Sequence, residues 1–123
     1  MTSDQPAQLP SPPYVAVIFS SLRMPGGAEE YGATADRMVE LARTMPGFLG
    51  VESVRGADGF GITVAYFTDE DAVRRWREHP EHREAQRRGR AEWYERFELR
   101  FCRVERAYGF KRGDGTTAVQ SDR

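Results

Sequence analysis

The sequence contains a single cysteine, no asparagine, no excess of either charge and no long apolar run. Cys102 alone cannot form an intramolecular disulfide, which fits a reducing compartment. The 18 basic and 19 acidic residues give a formal net charge of -1, and this balance does not favour nucleic acid or an anionic membrane as a partner. No apolar run approaches the ~20 residues that cross a bilayer. We therefore expect a soluble, cytoplasmic protein.

Both ends of the chain have a composition typical of disorder. Residues 1–13 are rich in Pro, Ser and Gln and lack the basic start and apolar core of a secretory signal. They predict a disordered N-terminal tail, and residues 111–123 predict a disordered C-terminal tail for the same reason. At 123 residues the chain has room for one domain, which we place at residues 14–110.

Apolar periodicity predicts alternating strands and helices within this domain. The predicted elements are a strand at 14–23, a helix at 28–45, strands at 48–55 and 60–68, helices at about 69–79 and 81–94, and a strand at 96–108. Pro80 separates the last two helices because proline disfavours helical geometry in the residue before it. Thr68 is the expected cap of the first of them. A shift of the apolar phase predicts a β-bulge near Phe101 and Cys102.

The order β-α-β-β-α-β is that of a ferredoxin-like α+β fold with an antiparallel sheet. In this fold the helices cover only one face of the sheet, yet the first and third strands carry apolar side chains on both faces. An apolar sheet face of that size does not remain in water. We therefore expect a second copy of the chain to cover it, which gives a two-fold homodimer with a shared barrel-like core.

Several segments together resemble a known family. They are PGFLGVESVR at 46–55, FGITVAYF at 60–67, a Trp six residues before a His, and a last strand that ends in VERAYGF. The chain resembles the antibiotic biosynthesis monooxygenase superfamily of dimeric α+β barrels. The resemblance implies membership of one of three groups: cofactor-free oxygenases of phenolic polyketide-type molecules, haem-degrading oxygenases, or dimers without a known substrate.

The haem-degrading branch of that superfamily places an Asn on strand 1, a Trp on the second helix and a His ten residues later. Trp76 matches the Trp, but Gln86 stands at the His position, and the strand position falls near Ser20 or Ser21. The cofactor-free branch also uses an Asn near the Trp, and this chain has none. Because Gln is a poor axial ligand for haem iron, the resemblance favours a protein without a cofactor, with haem as the alternative.

The candidate site residues lie mostly in the segment 71–94, which holds both tryptophans and both histidines. His79 and His82 are the candidate catalytic bases. The candidate substrate-binding residues are Trp76 and Tyr66 for stacking on a planar ring, Arg90 for pairing with an anion, and Ser20 and Gln86 at the family positions. His79 and His82 are three residues apart, but Pro80 interrupts their helix and no further ligand is near, so we predict no metal site.

The sequence therefore predicts a homodimeric, cofactor-independent monooxygenase-like enzyme that acts on a small planar aromatic or polyketide-like molecule. Its cavity is expected between the sheet and the helices. The alternatives are a non-catalytic dimeric small-molecule-binding or stress-response module, and a haem-binding protein with a non-standard ligand set.

Overall fold

A four-stranded antiparallel sheet in the order β2-β3-β1-β4 forms the frame of the protein. The computed structural model describes residues 2–113. Its elements are β1 (Tyr14–Arg23), α1 (Ala28–Ala42), β2 (Phe48–Arg55), β3 (Phe60–Phe67), α2 (Glu70–Glu78), α3 (Pro80–Arg88), a π-helical turn (Gly89–Trp93) and β4 (Tyr94–Val104). The predicted ferredoxin-like α+β fold is confirmed. No helix of the described residues is long and apolar enough to cross a membrane.

The strand register places side chains in rows across the face of the sheet that the helices cover. Successive rows are Arg55–Gly61–Ser21–Phe97, Ser53–Thr63–Phe19–Leu99 and Val51–Ala65–Val17–Phe101. Because side chains alternate along a strand, the neighbouring residues form the opposite, outer face. The helix-covered face is thus polar at the Arg55 end and apolar at the Val17 end.

The apolar core lies beyond the Val17 end of these rows. Its buried members are Val15, Ala42, Phe67, Ala72, Val73 and Trp76. Met38 and Leu41 of α1 pack against this cluster, so α1 turns an apolar side toward the sheet. The core therefore joins β1 and β3 to α1 and α2 at one end of the sheet. At the other end this apolar cluster does not fill the space between the sheet and the helices.

The predicted bulge at Phe101 and Cys102 is wrong. The pairing of β1 with β4 is regular through both residues, and its irregularity lies where Leu22 and Arg23 meet the start of β4. The apparent shift of phase has a simpler cause, since Phe101 pairs with Val17 on the helix-covered face whereas Cys102 pairs with Ala16 on the outer face. Apolar residues occupy both faces of β4 at this point, so the sequence pattern does not require the extra residue of a β-bulge.

The helix termini also differ from the predicted ones. Asp69, not Thr68, caps α2, because its side chain accepts a hydrogen bond from the amide of Ala72 at 2.8 Å. The helix after Pro80 ends at Arg88, where a π-helical turn replaces the predicted continuation to residue 94. Similarly, α1 ends at Ala42 rather than at residue 45, and β4 begins two residues earlier and ends four residues earlier than predicted.

The segment before β1 lies against the sheet, although its composition predicts disorder. The amide of Ser3 donates to the carbonyl of Ser53 at 2.7 Å, and the amide of Ser53 donates to Ser3 Oγ at 3.0 Å. The amide of Ala7 donates to Glu52 Oε2 at 2.9 Å. This segment therefore packs along β2 without forming a further strand of the sheet. Residues 114–123 of the predicted C-terminal tail lie outside the described residues.

The outer face of the sheet exposes large apolar side chains. Val54, Phe60 and Ile62 are 61%, 50% and 41% exposed. Val54 and Ile62 are direct cross-strand neighbours, so the three form one patch rather than scattered positions. Such a patch is typical of a surface that associates with another protein surface.

Candidate functional site

A cavity of about 310 Å³ lies between the helix-covered face of the sheet and the helices, within the range of small-molecule sites. Its existence follows from the side chains of β3. Gly61, Thr63 and Ala65 are small and follow each other on this face, and only Phe67 at the end of the strand is large. Small residues on a central strand leave a space that the helices do not fill.

Trp76 forms the wall of the cavity at its apolar end. Its side chain is 8% exposed and packs in the core with Val73 and Phe67, and it also lines the cavity. The ring of His82 stacks on the indole with the centroids 4.2 Å apart and an interplanar angle of 14°. Trp76 therefore serves the core and the cavity together, with one face of its indole covered by His82.

Pro80 determines how His82 is held. In an unbroken helix the carbonyl of Trp76 would accept from the amide four residues later, but that residue is Pro80, which has no N–H. The carbonyl accepts instead from the amide of His79 at 3.2 Å, and His82 Nδ1 lies 3.0 Å from it. A carbonyl oxygen only accepts, so Nδ1 carries the hydrogen in this bond. This tautomer leaves Nε2 of His82 as a free acceptor.

Burial lowers the pKa of His82 to about 4, although the hydrogen bond to the Trp76 carbonyl acts in the opposite direction. The ring is therefore neutral at pH 7. A base with this pKa does not titrate in the neutral range, so the rise of activity through neutral pH that a pKa near 6.5 would give is not expected here. His82 offers a neutral acceptor next to a flat apolar wall.

Gln86 and Arg90 also line the cavity. Gln86 follows His82 by four residues on α3, so the two side chains share a helix face. Arg90 belongs to the π-helical turn, and its guanidinium lies 5.6 Å from the ring centre of Phe97. The cavity wall formed by α3 and the turn is thus polar, whereas the wall formed by α1 carries Ala35, Met38 and Val39.

The far end of the cavity contains a polar cluster that sequence reasoning missed. Arg55 Nη2 donates to Ser21 Oγ at 2.7 Å and to the hydroxyl of Tyr31 at 3.2 Å. The hydroxyl of Tyr94 donates to that of Tyr31 at 3.0 Å. Burial, and then this bond to Tyr31, raise the pKa of Tyr94. Nearby, Ser53 Oγ and Thr63 Oγ1 lie 2.6 Å apart.

Of the seven predicted site residues, four line the cavity: Trp76, His82, Gln86 and Arg90. The other three lie outside it. His79 caps α3 by accepting from the amide of Glu81 at 3.2 Å. Tyr66 lies on the outer face and donates to Glu52 Oε1 at 2.6 Å, and Ser20 lies on the same face, whereas Ser21 faces the helices. Side chains alternate along β3, so Tyr66 lies on the opposite face from Thr63 and Ala65. This alternation is the sequence signal that separates the cavity face from the outer face.

Within residues 2–113, no three His, Cys, Asp or Glu side chains lie close enough together to hold a metal ion. His82 and His79 are thus not joined by a carboxylate or thiolate in a shared ligand set.

The family resemblance is confirmed by comparison with known proteins. The sequence model of the antibiotic biosynthesis monooxygenase family matches residues 13–88. The chain therefore belongs to the antibiotic biosynthesis monooxygenase family. A protein of Bacillus subtilis (strain 168), "Uncharacterized protein YqjZ", is 53% identical over 100 residues, which cover 81% of this chain and 87% of that protein.

Solved structures show the same fold at low sequence identity. SnoaB, a cofactor-independent oxygenase from Streptomyces nogalater, superposes with a TM-score of 0.67 at 20% identity, over 78% of this chain and 97% of SnoaB. Rv0793 from Mycobacterium tuberculosis superposes with a TM-score of 0.62 at 18% identity, over 74% of this chain and 92% of that protein. At these identities the likeness shows the fold alone.

The depressed pKa of His82 makes stability depend on pH in a defined direction. The unfolded chain binds a proton at His82 below about pH 6.5, whereas the folded chain binds it only near pH 4. The free energy of unfolding should therefore decrease as the pH falls from about 6.5 to 4, by on the order of 2 kcal/mol after allowance for partial exposure of the ring. Urea unfolding at several pH values measures this decrease.

The control is His82→Asn, which keeps an amide donor near the Nδ1 position but does not titrate. This variant should lose less stability than the wild type over the same pH interval. Equal losses in both proteins, or a His82 ring that titrates near pH 6.5 in an NMR experiment, would contradict the assignment.

Proposed function

We propose that this protein is a cofactor-independent monooxygenase of small planar aromatic or polyketide-like molecules. The observation that carries the proposal is the cavity in which the flat wall of Trp76 adjoins a neutral histidine with a free Nε2. Membership of the family and the likeness to SnoaB, a cofactor-independent oxygenase, support oxygenation as the reaction.

The reaction balances without a reductant. A phenol that becomes a quinone gains one oxygen atom from O₂ and loses two hydrogen atoms, and these leave with the second oxygen atom as water. The electrons come from the substrate itself. The protein must hold the ring, accept the phenolic proton and stabilise the resulting anion, because the electron-rich anion is the species that reacts with oxygen.

The residues at the apolar end suit the first of these tasks and can position the phenolic hydroxyl. The stacked rings of Trp76 and His82 supply an apolar wall against which an aromatic ring can pack. His82 Nε2 accepts a hydrogen bond from the phenolic hydroxyl, because Nδ1 is already committed to the backbone. Gln86, four residues further along the same helix, lines the cavity next to His82 and donates through its amide to a substrate oxygen.

The dimer is part of this proposal. The exposed patch of Val54, Phe60 and Ile62 on the outer face is the surface that a second copy covers. Because the helices occupy the opposite face, association through the outer face leaves the cavity of each chain intact. The proposed cavity is therefore formed by one chain, and the dimer supplies stability rather than catalytic groups.

The second candidate function is a non-catalytic binding module with the same cavity. It is favoured by the absence of asparagine from the sequence, since the resemblance implies an Asn in both catalytic branches of the family. Haem is not part of the proposal. Gln86 lines the cavity at the position of the family's His, and its amide is a poor axial ligand.

Oxygen uptake tests the enzyme directly. The purified protein, treated with a chelator, should consume O₂ with members of a panel of phenols and naphthols, and ¹⁸O₂ should leave one labelled atom in the quinone. His82→Asn should lower kcat by about 100-fold, because it removes the ring that stacks on Trp76 and directs Nε2 at the phenolic hydroxyl. His79→Asn is the matched control, since His79 lies outside the cavity and Asn is a good helix cap. No oxygen uptake with any member of the panel would contradict the enzyme and favour the binding module.

Sedimentation tests the dimer. The wild type should sediment as a dimer at micromolar concentration, and Ile62→Asp should give a folded monomer, because Ile62 is already 41% exposed in one chain. Ala91→Asp, on the helical side, is the control and should remain dimeric. A wild type that is monomeric, or an Ile62→Asp variant that is still a dimer, would show that the outer face is not the interface.

A further inference from the structure

We propose that the end of the cavity opposite Trp76 is an anion-binding subsite formed by Arg55 and Tyr31, so that the natural ligand is a planar aromatic molecule with a negatively charged group. The anionic group is of the carboxylate or phenolate class. The aromatic part of this ligand rests on the proposed function. The negative charge of the ligand rests on two separate observations.

The first observation is the charge of the cavity wall. Acidic residues outnumber basic ones in the whole chain by 19 to 18. Three arginines, Arg55, Arg77 and Arg90, line the cavity, and no Asp or Glu of the described residues does so. A wall with only positive charges, enclosed by apolar side chains, favours an anion because the low dielectric of such a site strengthens the attraction.

Arg55 is the most enclosed of these arginines. It is half-buried, whereas Arg77 and Arg90 are exposed. Its hydrogen bonds go to neutral acceptors, namely the backbone carbonyls of Ser21 and Gly59 and the hydroxyls of Ser21 and Tyr31. Among residues 2–113, no carboxylate forms an ion pair with it. A partly buried charge without a counter-ion is costly, and a ligand anion supplies the counter-ion.

The position of Arg55 depends on Gly61, its partner across the β2–β3 pair. A Cβ atom at Gly61 would lie 2.9 Å from Arg55 Cζ. The guanidinium therefore lies over the backbone of β3 and reaches Ser21 on β1. A side chain at position 61 would obstruct this path. Arg55 is half-buried in this position and lines the cavity.

The second observation is a hydroxyl with a free hydrogen. The oxygen of Tyr31 accepts from Arg55 at 3.2 Å and from Tyr94 at 3.0 Å, which occupies both of its lone pairs. Its own hydrogen has no acceptor among the described residues. Tyr31 lines the cavity, so this hydrogen is available to a ligand oxygen. A hydroxyl that accepts from a cation is a strengthened donor.

The two ends of the cavity have a spacing that one ligand can bridge. Val17 packs against the core cluster that contains Trp76, and Ser21 contacts Arg55. Four residues separate them on β1, which corresponds to about 13 Å along the strand. A fused aromatic ring placed on Trp76 thus directs a substituent on its far edge toward Tyr31 and Arg55. His82 remains beside the ring at the opposite end.

A pair of ligands with equal shape and different charge tests the subsite. 2-Naphthoate carries a carboxylate, and 2-naphthamide replaces it with a neutral amide. Calorimetric titration of the full chain should show about tenfold tighter binding of 2-naphthoate, the gain expected from one charge-assisted hydrogen bond. Raising the salt concentration should reduce this preference by screening.

Two variants assign the preference to Arg55. Arg55→Gln should reduce the preference to about onefold. Gly61→Ala keeps the charge but crowds both the guanidinium and the carbonyl oxygen of Val54, each 2.9 Å from the added Cβ, and it should reduce the preference as well. Arg37→Gln, whose guanidinium is bonded to Glu81 outside the cavity, is the control and should keep the wild-type preference.

The outcomes separate the subsite from the proposed function. Equal binding of both ligands by the wild type would overturn the anion subsite but support a cavity that binds planar rings. A preference that survives in Arg55→Gln and is lost in Arg90→Gln would overturn the assignment to Arg55. If neither ligand binds, the subsite and the aromatic-binding cavity are both wrong.

Discussion

The contact between the guanidinium of Arg55 and the backbone of β3 at Gly61 is the constraint on which the polar end of the cavity depends. Because Gly61 has no side chain, Arg55 crosses the strand and bonds to Ser21, with its Cζ in the space that a Cβ would occupy. The same guanidinium bonds to Tyr31, and Tyr94 completes the cluster. A side chain at this position would crowd the guanidinium, and this end of the cavity would lose the bonds that Arg55 makes to Ser21 and Tyr31.

The apolar end follows from a second missing group, the backbone N–H of Pro80. Without it the carbonyl of Trp76 needs another donor, and His82 Nδ1 lies within hydrogen-bond distance of it. One bond thereby fixes the position and the tautomer of the ring, while stacking on Trp76 and burial keep it neutral. The break between α2 and α3, which disrupts a helix, is thus what positions a neutral histidine against the indole of Trp76.

The sequence predicted the frame of the fold well, because strand and helix periodicity is a local property. The limits of β1 and β2 agree with those predicted, and the break at Pro80 does too. The cap of α2, the end of α3 and the supposed bulge were wrong, since they depend on which residue reaches a free amide and on which face each side chain takes. In the site, Trp76 and His82 stood out as rare residues, whereas Arg55 resembled many other arginines. Its role depends on a cross-strand glycine and on residues far away in the chain, which no single segment reveals. The small residues Gly61, Thr63 and Ala65 share the cavity face of β3, but the prediction chose Tyr66, which lies on the other face.

The central claim is that one planar, negatively charged ligand spans the cavity from Trp76 to Arg55. A crystal structure of the protein with 2-naphthoate tests it most directly. We expect the ring to lie against Trp76 and His82, with the carboxylate accepting a hydrogen bond from the hydroxyl of Tyr31 near Arg55. A ligand on the outer face of the sheet, one bound with its carboxylate toward His82, or a cavity closed by side chains would contradict it.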